Sequence, residues 1–271
     1  MTLKTVLAGL FVALSTQQLT AHELWIEAAD WQVEAGEPIQ ADIRNGIEME
    51  GPAYPWIDAR ATRAEVFSPD GSAPFAGLPG DLPAFQVQTD TPGLYGLIYE
   101  TKTTRLTYDS FDLFREFTEE KGWPSVLEQH LAEGYPQENL AEVYDRHVKA
   151  LIAVGDGAGE DAYRGMTHEI VTTTNPYTMA ADQPMEVRVY HDDKPRPDAR
   201  VTVFERSPEM QVDLITLQTD ADGRASFPVK PGYDYLVDTV YLQRASAKEM
   251  GTFGAIWKSN WAALTFGVPA R

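Results

Sequence analysis

Trp31-Gln-Val-Glu-Ala35-Gly-Glu-Pro38-Ile39-Gln-Ala41-Asp-Ile43-Arg44 returns in outline as Tyr177-Thr-Met-Ala-Ala181-Asp-Gln-Pro184-Met185-Glu-Val187-Arg-Val189-Tyr190, with the offsets kept position for position. Each copy reads as a short extended segment, a turn, a proline at the head of a strand, and then the period-two alternation of a strand with one apolar face. A second echo follows, Thr91-Pro92-Gly93-Leu94-Tyr95-Gly-Leu97-Ile98 against Lys230-Pro231-Gly232-Tyr233-Asp-Tyr235-Leu236-Val237, where Pro-Gly sets a turn ahead of a strand. The duplication predicts a mainly β chain of two tandem immunoglobulin- or prealbumin-like β-sandwich domains, over residues 22–109 and 161–271.

Between the copies the period changes from two to about 3.6 residues, the helical repeat. Ser110 is placed to cap a helix with Phe111, Phe114 and Phe117 on one face, and Ser125-Val-Leu-Glu128 has the Ser-x-x-Glu form of a capping box ahead of His130 and Leu131. Gly134 is the expected stop. Residues 138–154 place Leu140, Tyr144, Val148, Leu151 and Ile152 on one helical stripe before Gly155, so a helical insert and linker are expected over residues 110–160.

The chain opens like an export leader. Lys4 supplies a positive start, residues 6–14 an apolar run, and Leu19-Thr20-Ala21 a small residue before a cut, which predicts cleavage between Ala21 and His22 and a periplasmic or secreted protein. That run is shorter than the roughly 18 apolar residues of a membrane helix, and no later segment approaches them, so no transmembrane segment is expected in the mature chain. With 22 Lys+Arg against 41 Asp+Glu the net charge is −19, and nucleic acid is not an expected partner because polyphosphate binding rests on basic patches. Cysteine is absent, which rules out disulfides and a lipid-anchored cysteine.

No nucleophile elbow, phosphate loop or zinc-protease helix is present. Asp220-Ala-Asp222-Gly223 has the start of a calcium loop without its remaining ligands and reads as a hairpin turn. The five histidines remain. As a mature first residue, His22 would offer both an α-amino group and its Nδ1 to a cation, a nitrogen set that Cu(II) and Ni(II) accept. His130 and His147 fall near the apolar stripes of the two expected helices, where a hairpin lets both approach one point, and each also fits a buried structural role. His168 points to a strand's inner face, and His191 belongs to a polar turn. Trp25 and Trp31 read as core, whereas Tyr54-Pro55-Trp56, in an irregular loop, reads as part of a binding surface.

Ala21-His22-Glu23-Leu24-Trp25-Ile26, Arg44-Asn45-Gly46, Gly80-Asp81-Leu82-Pro83, Tyr144-Asp-Arg146-His147-Val-Lys149-Ala150-Leu151, Asn175-Pro176-Tyr177 and Trp261-Ala262-Ala263-Leu264-Thr265-Phe266 occur in this order. In that order they resemble the exported domain of unknown function 4198, a family grouped with periplasmic components of nickel and cobalt uptake. The resemblance implies metal handling outside the cytoplasmic membrane, with His22 facing the metal and His130 matching a histidine of the family's helical insert. His168 departs from the apolar residue more often found at its place. The implied partners are a metal ion and a membrane metal transporter or outer-membrane receptor.

Three functions follow as expectations. The first is a non-enzymatic accessory protein that binds divalent nickel, cobalt or copper through His22, with His130 or His147 as a further ligand. The second is a copper-dependent oxidase acting on polysaccharide, with Tyr54 and Trp56 as its docking surface. The third is a carbohydrate-binding or adaptor module with no metal.

Overall fold

The computed structural model describes residues 22–270; the expected leader and its cleavage point lie outside the described residues. The first half holds β1 (Glu23–Ala28), β2 (Gln32–Val33), β3 (Ile39–Gly46), β4 (Ala53–Tyr54), β5 (Ala61–Ser68), β6 (Gly71–Pro74), β7 (Phe85–Val87), β8 (Gly93–Thr101) and β9 (Thr104–Thr107). Helices α1 (Phe111–Glu120) and α2 (Pro124–Ala132) lead to a long strand, β10 (Ala141–Val154). Then come β11 (His168–Thr172), β12 (Met185–His191), β13 (Lys194–Pro195), β14 (Arg200–Arg206), β15 (Val212–Gln218), β16 (Arg224–Phe227), β17 (Asp234–Arg244), α3 (Ala247–Phe253) and β18 (Trp257–Gly267).

The duplicated stretches become equivalent strands. Pro38 and Pro184 stand immediately before β3 and β12, and each of those strands is the hub of a four-stranded sheet, β1-β3-β4 with β7 and β11-β12-β13 with β16. The two Pro-Gly turns lead into β8 and β17, which lie in a ten-stranded sheet of order β15-β14-β17-β18-β10-β8-β5-β6, with β2 and β9 also paired to β10. Strands of both halves therefore meet in one sheet, and the seam is the parallel pair β10 and β18. One outer sheet covers the face bearing Val148, Ala150 and Ala263; the other covers the face bearing Leu151, Ala153, Ala262 and Leu264. The chain is thus mainly β, with two outer sheets on opposite faces of a shared central one.

The expected helix over residues 138–154 is corrected by β10. From Val148 onward this strand is covered on both faces, so apart from Lys149 both of its alternating sets are apolar there and the period-two signal disappears. The remaining run of Val, Ala, Leu and Ile has spacings that satisfy a helical stripe equally well. Of the expected insert, α1 and α2 are helical. Ser110 caps α1 by accepting from the Leu113 N–H, and Phe114 and Phe117 are buried. The expected capping box of α2 does not form, because Pro124 opens the helix and Ser125 and Glu128 lie inside it. The Asp220–Gly223 stretch is a turn, Asp220 accepting from the Asp222 and Arg224 N–H groups while Gly223 takes a φ of +76°.

Candidate functional site

Alternation along β10 sends Glu142, Tyr144 and Arg146 to one face and Asp145, His147 and Lys149 to the other. The first set, with Trp261 from β18, lies at the floor of a cavity of about 520 Å³ beneath the N-terminal outer sheet. Its walls include Ile43 and Asn45 of β3, Tyr54, Tyr99 of β8, Tyr108, and Phe117 of α1; Arg60 and Lys102 also line it. The volume is in the range of small-molecule sites, and the lining combines aromatic faces with a few converging charges.

Arg146 is the central group. Its guanidinium lies 4.6 Å from the Trp261 ring centre and 5.1 Å from that of Tyr144, and no carboxylate lies within ion-pair distance of it among the described residues. Burial pulls its pKa down, against the opposing pull of Tyr144, Asp238, Glu23 and Glu142, but a guanidinium keeps its proton in a protein. Beside it, Glu142 is buried and accepts from the Tyr108 hydroxyl at 2.6 Å and from the Ser259 hydroxyl. Burial pushes the Glu142 carboxyl up to about 7 despite both donors. At the end of α1, Lys121 reaches Glu23 at 3.0 Å and Asp238 at 3.5 Å, with its ammonium 5.0 Å from the Trp261 ring. Burial also raises Glu23 to about 7, while the Lys121 charge works against that rise. The floor thus carries the Arg146 cation and the Glu142 carboxyl, and the Lys121–Glu23–Asp238 group is linked to it through the Trp261 ring.

His22 is exposed and lines this cavity as well as an adjoining groove with Glu48, Glu50, Tyr54 and Met210. The other expected ligands lie elsewhere. His130 is fully buried between the helices and β18; its Nδ1 accepts from Trp257 Nε1–H at 3.0 Å, and its Nε2–H donates to the Pro136 carbonyl at 3.1 Å. Both ring nitrogens are committed to these hydrogen bonds. His147 points to the opposite face of β10 from His22, where its Nδ1–H donates to Glu100 at 2.8 Å. That face also carries His168, whose Nδ1–H donates to the Tyr190 carbonyl at 2.8 Å, and His191, 5.4 Å from the His168 ring and stacked on Tyr241 at 3.7 Å. Burial lowers the pKa of His168 and of His191, so both are held neutral near pH 7. Among the described residues no group of three or more His, Asp or Glu side chains is placed to hold a metal ion.

Trp56 is also relocated. It is buried against Phe75, Phe85 and Tyr99, so it is a core residue, while Tyr54 alone of the expected aromatic pair lines the cavity.

The family described as a domain of unknown function, DUF4198, matches residues 19–243. The chain belongs to that family. No curated protein matches it. Solved structures that align include a two-domain fibronectin type-III segment of chicken tenascin, 12% identical over 79% of this chain and 86% of that one, with a TM-score of 0.23. A tetra-tandem repeat from the extending region of a large adhesion protein is 12% identical over 90% of this chain and 49% of that one, with a TM-score of 0.20. The D0-D1 domain of intimin is 14% identical over 90% and 97%, with a TM-score of 0.18. No helix among the described residues is long and apolar enough to cross a membrane.

Glu142, Arg146 and Tyr108 carry the chemistry of the cavity without appearing among the sequence candidates. The signal was present in Glu142-x-Tyr144-x-Arg146, three polar residues at strand spacing that alternate with a second polar set, Asp145-x-His147-x-Lys149. It becomes visible only when residues 141–154 are read as a strand.

Proposed function

We propose that this protein is an exported, non-enzymatic binding protein for a transition metal, nickel, cobalt or copper, and that it takes the metal as a complex with a small organic carboxylate. The observation that carries the reading is Arg146, a guanidinium held between two aromatic rings in a cavity of about 520 Å³ with no carboxylate paired to it. Guanidinium recognises carboxylates by paired, charge-assisted hydrogen bonds, and the aromatic walls suit the organic part of a chelator. His22 on the rim supplies an imidazole, and after cleavage at Ala21 its α-amino group, to a metal whose other ligands come from the chelator. The metal is cargo here. Delivery to a membrane transporter or outer-membrane receptor belongs to the same reading, as does the view of the two halves as fused immunoglobulin- or prealbumin-like sandwiches.

Calorimetric titration of protein beginning at His22 with nickel, with citrate and with nickel citrate tests it. Stoichiometric binding of the complex, tighter than of either component, is expected. Arg146→Gln should lose citrate and complex together, and His22→Ala should bind citrate but no longer favour the complex. Undiminished binding of nickel citrate by Arg146→Gln would overturn the reading.

A further inference from the structure

The opposite face of β10 holds a group that the cavity does not use. Lys149, Asp161 and Glu169 come together with side chains fully shielded from solvent. Lys149 Nζ lies 2.9 Å from Asp161 Oδ1, 2.8 Å from Asp161 Oδ2 and 3.1 Å from Glu169 Oε1. Both carboxyls are fixed by backbone donors. Asp161 accepts from the Thr172 and Ala162 N–H groups, and Glu169 from those of Arg164 and Met166. Near-equal distances to both Asp161 oxygens bring Nζ close to Cγ as well.

Burying one ammonium with two carboxylates is costly, because a low-dielectric interior favours neutral species over separated charge. Here an amine on β10, a carboxyl electrophile in the segment between β10 and β11, and a second carboxyl on β11 stand together, the amine within hydrogen-bond reach of both carboxyls. That is the set a condensation requires: nucleophile, acyl carbon and proton carrier.

We propose that Lys149 and Asp161 condense to an intramolecular amide, with Glu169 as the proton carrier. Lys149 first passes one proton to an Asp161 oxygen, which leaves a neutral amine and a neutral carboxyl. The Nζ lone pair attacks Cγ and forms the C–N bond. The nitrogen then gives a second proton to Glu169, which delivers it to the departing hydroxyl. The Cγ–O bond breaks, water leaves, and Glu169 returns to carboxylate. The three protons of the ammonium end as one on the amide and two on the water, and no oxidant, reductant or co-reactant enters. Water is the only product released, and the site's net charge is unchanged.

The bond would tie the central sheet to the segment between β10 and β11, at the entry to the C-terminal outer sheet. In a chain with no cysteine it supplies a cross-link that disulfide chemistry cannot.

Intact mass of the full chain under denaturing conditions, followed by trypsin digestion, tests the proposal. The expected protein is one water lighter than its sequence counted from its observed first residue, with nearly every molecule converted. Because an acylated lysine is not cleaved, residues 147–164 should appear as one internally cyclised peptide. Fragmentation that places the water loss at Asp156-Gly157, with Lys149 cleaved normally, would overturn the proposal, as would an unchanged intact mass. Glu169→Gln keeps a hydrogen-bonding side chain but removes the proton carrier, and it should show the full sequence mass and normal cleavage after Lys149. Should that variant fail to fold, the wild-type mass and digest decide alone.

Discussion

Replacing Glu142 with glutamine separates the cost of burying this carboxylate from everything else at the cavity floor. The Glu142 pKa rises from 4.5 to about 7 because the side chain is buried, and the Ser259 and Tyr108 hydroxyls recover only part of that penalty. A folded-state pKa above the unfolded one means that the folded protein binds more protons between those two values. Stability therefore falls as pH rises from 4.5 to about 7, and is flat on either side as far as this group is concerned. Integrated over that window, the ionised carboxylate costs the fold about 3 kcal/mol. Glutamine cannot ionise, but it accepts less well from two hydroxyls and must place an NH₂, at a cost of about 1 kcal/mol. Glu142→Gln should thus be equal to or slightly less stable than wild type at pH 4.5, and about 2 kcal/mol more stable at pH 8. Urea denaturation at half-unit pH steps, fitted as the difference between the two proteins, measures this. Glu23 also titrates near neutrality, but it is present in both proteins and cancels unless it couples to position 142. A difference that does not change with pH would refute the assignment of Glu142 as a desolvated, titrating carboxyl.

Two further substitutions test packing on the two faces of the central sheet. Gly96→Ala would set a Cβ 1.9 Å from two ring atoms of Phe67, which is itself buried, so a loss of about 1–3 kcal/mol is expected in urea denaturation, with partial recovery on adding Phe67→Leu. Unchanged stability would mean that Phe67 moves freely. Phe114→Ala removes a fully buried ring that packs against Tyr108, His130 and Trp257, and should cost about 3–5 kcal/mol. Hydrogen exchange should then show α1 and α2 loosening before the sheets; uniform loosening would argue that the helices are not a separate unit.

The outer-sheet hubs β3 and β12 were legible because each buries one of its two alternating sets more deeply than the other. β3 and β12 keep their alternation, and the proline before each marks its start, so the duplication found in the sequence became equivalent strands in the structure. α1 was legible for a similar reason, one apolar face and a serine at its head. β10 was not, since coverage on both faces removes the periodic contrast on which strand and helix are told apart. Misreading that one segment had a chain of consequences. It placed His147 on a helix beside His130, hid the shared face of Glu142, Tyr144 and Arg146, and left Lys149 without a direction. His22 is the exception: its place beside the cavity follows from β1 pairing along β3, whose Asn45 reaches back to the Glu23 carbonyl at 2.9 Å.

Register along β10 decides which chemistry faces which core. A slip of one residue would turn Arg146 and Glu142 toward the C-terminal outer sheet and bring His147 and Lys149 to the cavity, so the two sets cannot be exchanged without loss of both. Nine register pairs with β18, from Glu142 opposite Trp257 to Ala150 opposite Thr265, hold that alignment on one side, and pairs with β9 and β8 hold it on the other. The seam is therefore a partition as well as a join. It allows an open cavity lined by Glu142 and Arg146 to stand a strand's thickness from a dry Lys149–Asp161–Glu169 group. Cross-linking at Lys149 would anchor β10 from the dry side and so hold Arg146 in place on the wet one, which makes stiffness of the seam the physical link between the two sites.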